Sequence, residues 1–115
     1  MYAQASSIRV PMGTMAQMRH VIEQEYLPRV RSRPGFLSAQ FLEQIDDPES
    51  ALLIVCWDKQ ASVENFNRTN LLEASVQAIA ARIPGVRVQR EAYLISVNVG
   101  AQEKEVIQHT SVSAK

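Results

Sequence analysis

The stretch Ala51-Leu52-Leu53-Ile54-Val55-Cys56-Trp57-Asp58 decides the fold. Every residue from Ala51 to Trp57 is apolar, at both parities of a strand. A strand with one solvated face alternates, so a strand without alternation is covered on both faces. Just before it, Asp46-Asp47-Pro48-Glu49-Ser50 is a polar turn. Before the turn, Phe36 to Ile45 reads as another strand, with Leu37, Ala39, Phe41 and Ile45 on one face and Ser38, Gln40 and Gln44 on the other. A turn this short joins the two strands antiparallel.

On the N-terminal side, Ile8-Arg9-Val10 marks a first strand that begins near Ala3 and is closed by Pro11 and Gly13. Thr14 and Gln17 have the spacing of a capping box. Met15, Met18, Ile22 and Tyr26 then form one helical face, and Pro28 is expected to kink or fray the last turn before Pro34-Gly35 ends it. On the C-terminal side, Asp58 is the expected cap of a helix carrying Val63 and Phe66. Asn67-Arg68-Thr69-Asn70 interrupts that helix. Asn70 with Glu73 is a second expected cap, and Leu72, Val76, Ile79 and Ile83 form the next apolar face. Pro84-Gly85 ends the helix, and Val86 to Val99 reads as a long fourth strand.

The order β-α-β-β-α-β predicts an α+β, ferredoxin-like domain: a four-stranded antiparallel sheet with both helices on one face. It spans residues 1–100. Residues 101–115 form a polar C-terminal tail, with one short helix expected around Glu103 to Gln108. The helices cover one face of the third strand. The same surface of a second copy is the economical cover for the other face, so a homodimer through the sheet is expected.

Composition narrows the function. The chain has 115 residues, 46% of them apolar, and 12 basic against 12 acidic side chains. Zero net charge gives no global attraction for phosphate, so nucleic acid is not an expected partner. No apolar run approaches the roughly 20 residues of a membrane helix, and the first residues lack the pattern of a signal peptide. One cysteine, Cys56, allows neither an intramolecular disulfide nor a cysteine-based zinc site, which favours a cytoplasmic setting. There is no His-x-x-x-His, no Cys-x-x-Cys and no glycine-rich phosphate loop. No metal is expected.

Arg33-Pro34-Gly35-Phe36-Leu37, then a strand, Asp46-Asp47-Pro48, Leu53 to Asp58, and Ala61 to Phe66 together resemble the antibiotic biosynthesis monooxygenase domains of the dimeric α+β barrel superfamily. The resemblance runs from about Ile8 to Val99. It implies a homodimer whose sheets close into a barrel. It also implies cofactor-free oxygenation of an aromatic phenol- or quinol-like molecule, in which the ionised substrate itself passes an electron to O2. The alternative is a non-catalytic homodimeric module of the same fold that binds a small molecule or only assembles. Many family members have a histidine on the helix after the tryptophan, and in haem-degrading relatives it ligates iron. Here that stretch is Glu64-Asn65-Phe66-Asn67-Arg68, so haem degradation is not expected.

No catalytic residue is assigned. The pocket candidates are Trp57, as a wall at the end of the third strand; Asn65, Phe66 and Asn67, which follow it; and Tyr26 and Tyr93, as hydrogen-bond donors to a substrate oxygen. Each also suits a plain core or surface position. His20 lies off the apolar face of the first helix and is expected outside any pocket. Arg29, Arg31 and Arg33 suit a helix C-terminus. Cys56 suits a core filler.

Overall fold

The computed structural model describes residues 1–100. It contains four strands, β1 (Tyr2–Arg9), β2 (Phe36–Glu43), β3 (Ser50–Trp57) and β4 (Arg87–Leu94), in one antiparallel sheet of order β2-β3-β1-β4. The helices are α1 (Met15–Val21), which runs through a π-helical stretch (Ile22–Tyr26) into α2 (Leu27–Arg31), then α3 (Gln60–Arg68) and α4 (Leu71–Arg82). This is the ferredoxin-like α+β arrangement that the element order predicts.

Strand parity sets the two faces. In β3, Ala51, Leu53, Val55 and Trp57 are buried against the helices, while Leu52, Ile54 and Cys56 alternate with them on the open face and are only half-buried. The register carries the helix face across the sheet: Ile8 pairs with Ala51, Ser6 with Leu53, Gln4 with Val55 and Tyr2 with Trp57. Met15, Met18, Val21, Ile22, Tyr26 and Val30 close over this face from the first helical arm, with Val63, Phe66, Ile79 and Ile83 from the second.

Several local expectations are corrected. Thr14 makes no capping box: its hydroxyl donates to Pro11 O at 2.6 Å, and Gln17 reaches Arg82 O instead. Pro28 does not end the helix. It occupies the first turn of α2, directly after the wide turn of Ile22–Tyr26. Asn70 provides no side-chain cap because it is left-handed at φ 57°; the Thr69 hydroxyl accepts from Leu71 N at 3.2 Å. Asp58 lies before the start of α3 and holds the Ser62 hydroxyl at 2.6 Å.

The second strand ends at Glu43, so Ile45 falls in the turn and is exposed. A bulge inserts Leu37 between Phe36, paired with Trp57, and Ser38, paired with Cys56. Leu37 is thereby left exposed, while Ala39 and Phe41 keep the helix face. The fourth strand ends at Leu94 rather than Val99; Val97 and Val99 are exposed. The expected tail and short helix of 101–115 lie outside the described residues.

Candidate functional site

Trp57 ends β3 fully buried, beneath the helices. Phe66 on α3 lies 5.0 Å from its ring, tilted 34°, and Phe36 meets it edge-on at 6.1 Å. The indole is thus clamped by aromatic rings on two sides. Its N–H donates to Gln4 Oε1 at 3.1 Å. Gln4 Nε2 donates to Asn67 Oδ1 at 2.8 Å, and Arg90 Nη1 donates to the same oxygen at 3.2 Å. Arg90 Nη2 pairs with Glu73 at 3.4 Å.

The direction of this chain follows from chemistry. An indole N–H only donates, so the Gln4 oxygen must face it and the Gln4 amino group must face away. That amino group, like the guanidinium, requires the oxygen of Asn67. The Asn67 amino group is therefore left over, and it donates to no other described residue. β3, β1, α3, β4 and α4 each contribute one member. Parity supplies the reason for two of them: Gln4 shares the inward side of β1 with Ser6 and Ile8, and Arg90 pairs with Ser6 on the inward side of β4.

Beside this chain, α4 stands over an apolar pocket. Tyr26, Ile22 and Met18 form one wall, Leu53, Ile8 and Val88 the floor, and Leu72, Val76 and Ile79 the roof, with the hydroxyls of Ser6 and Ser75 among them. As it stands the pocket encloses only about 10 Å³. It adjoins an outer cleft of about 440 Å³ between α4 and β4, lined by Leu72, Glu73, Val76, Gln77, Val88 and Arg90. Burial pushes the Tyr26 phenol well above the ordinary tyrosine value, so it stays protonated. A wider concavity, about 1010 Å³, lies between Arg9, Leu42, Leu52 and Arg87 at one end of the sheet. It holds none of the predicted site residues.

Trp57, Phe66 and Asn67 are therefore brought together, and Tyr26 lines the adjoining pocket. Asn65 is exposed and accepts from Arg68 at 2.9 Å. Tyr93 points from the open face, where its hydroxyl donates to Glu91 at 2.7 Å, which holds its proton more tightly. Neither joins the hydrogen-bonded chain or lines the pocket beside it. Gln4, Glu73 and Arg90 were not predicted. A polar residue at the inward parity of a strand was the available signal for Gln4 and Arg90.

No family model and no curated protein matches the chain. Solved structures do. A Deinococcus radiodurans protein, named as a candidate antibiotic biosynthesis monooxygenase, superposes with TM-score 0.73 at 14% identity, covering 89% of this chain and 99% of its own. SnoaB of Streptomyces nogalater, a cofactor-independent oxygenase solved as an Asn-to-Ala mutant, gives TM-score 0.70 at 13% identity, over 87% and 98%. MhuD of Mycobacterium tuberculosis, a haem degrader with two haems in its active site, gives 0.61 at 20% identity, over 87% and 100%. The chain shares the ferredoxin-like α+β fold with all three. No helix among the described residues is long and apolar enough to cross a membrane.

Proposed function

We propose that the chain is a cofactor-independent monooxygenase acting on an aromatic phenol- or quinol-like small molecule held between α4 and the sheet. The observation that carries this reading is the one-way chain Trp57–Gln4–Asn67, which meets Arg90 in the outer cleft that adjoins the apolar pocket. A phenol or enol reduces O2 readily as its anion, and Tyr26, held protonated by burial, has no free site to accept the substrate's proton. The substrate's proton passes instead to water in the outer cleft, and its loss is favoured by stabilising the anion: Arg90 contributes charge and Asn67 its free amide hydrogens.

The redox step needs no second reductant. At a ring CH2 activated by the ionised oxygen, one atom of O2 enters as a ketone and the other leaves as water with the two hydrogens. All four electrons come from the substrate. The apolar walls orient the ring and exclude solvent. The half-buried open face carrying Leu52, Ile54 and Cys56 supports a homodimer through the sheet.

Haem fits this site poorly. The helix after Trp57 has Phe66 at its buried position, His20 is exposed on α1, and the Tyr26 phenol stays protonated. Oxygen uptake with a panel of hydroquinones and anthrones tests the reading. Uptake above buffer is expected, and Asn67→Ala should lower kcat by about 100-fold, the usual cost of one oxyanion donor. No uptake with any member of the panel leaves only the non-catalytic module. A Soret shift on haem titration would point to the haem branch instead.

A further inference from the structure

The pocket under α4 is too small for the ligand it is shaped to face. Benzene occupies an apolar cavity of roughly 150 Å³, and this one encloses about 10 Å³. Its roof is also the helix with the smallest buried share. Of the 12 residues of α4, only Ile79 is buried. The arm from α1 to α2 instead buries Met15, Met18, Val21, Ile22, Tyr26 and Val30.

Both ends of α4 have left-handed joints, Asn70 at φ 57° and Gly85 at φ 96°. Two exposed ion pairs fasten it down, Arg82 to Glu25 at 2.6 Å and Glu73 to Arg90 at 3.4 Å. Leu72 and Val76 line both the inner pocket and the outer cleft. They are the partition between the two spaces.

We propose that α4 is a hinged gate: it swings about Asn70 and Gly85, moves Leu72 and Val76 aside, and admits a flat apolar ring from the outer cleft to the inner pocket. The gate rests on the ligand pocket of the proposed function but not on its oxygen chemistry. Elements held by few buried contacts open locally, at a lower free energy than the core. A gate that must open on each turnover belongs among them.

Amide hydrogen exchange of the full chain, read by mass spectrometry, tests this directly. Amides of α4 should exchange at least about 100-fold faster than those of β3. Glu25→Gln removes one fastening and should speed exchange in α4 by about two- to five-fold, the range of an exposed ion pair, with β3 unchanged. Saturating 2-naphthol should slow exchange in α4. If α4 and β3 exchange as one unit, or Glu25→Gln speeds both equally, the gate is wrong. It is equally wrong if 2-naphthol binds and leaves α4 unchanged. Failure of 2-naphthol to bind at all would sink the ligand pocket of the proposed function, while the exchange of α4 still decides the hinge.

Discussion

Gly35 is the residue with least freedom to change. Its φ is 84°, its carbonyl accepts from Asp58 N at 2.9 Å, and a Cβ there would overlap the Ser62 hydroxyl and lie 2.5 Å from Ser62 Cβ. Gly35→Ala should cost about 3 kcal/mol in urea unfolding, through strain and overlap together. Asp47 makes a different prediction. Its carboxylate accepts from Glu49 N, Arg9 and Ser50, which bring its pKa down to about 2 from 3.8. A lowered folded pKa means stabilisation that is full above about pH 4 and lost as pH falls toward 2. Urea midpoints measured across that window should fall, and Asp47→Asn should flatten the decline. At this scale the sequence revealed Trp57, Phe66 and Asn67 but not their connection. A hydrogen bond between residues 53 apart in sequence leaves no local trace; Gln4 is legible only once the parity of β1 is known.

At the scale of elements, the order of strands and helices was legible because long apolar periods and Pro-Gly stops are local signals. The third strand and its turn stand where the sequence puts them. What escaped was whatever required a partner. The bulge at Leu37 is set by pairing with β3, so period-two counting put Leu37 on the wrong side. The caps failed for a related reason. Thr14, Asn70 and Asp58 have the right residue types, but each backbone was already committed elsewhere, Asn70 to a left-handed turn and Thr14 to Pro11. The turn of Ile22–Tyr26 has no motif of its own; Pro28 signalled a disturbance there but not its form.

At the scale of the molecule, the sheet has one face sealed and one unfinished. Leu52, Ile54 and Cys56 run along the middle of the open face, with Leu42 exposed beside them. Charging this strip is the sharpest test of the dimer. Ile54→Asp should give a monomer in analytical ultracentrifugation, where the parent chain sediments as a dimer; a monomeric parent would end the proposal. The amide chain behind the other face has one more consequence. Trp57 is the only tryptophan of the protein, and its indole is coupled to Arg90 through Gln4 and Asn67. Displacing Arg90 in the outer cleft is expected to change the polarity around a single buried fluorophore. A shift in the emission maximum on titrating a non-fluorescent ligand is the expected optical readout of occupancy in a cleft that the ring itself does not line.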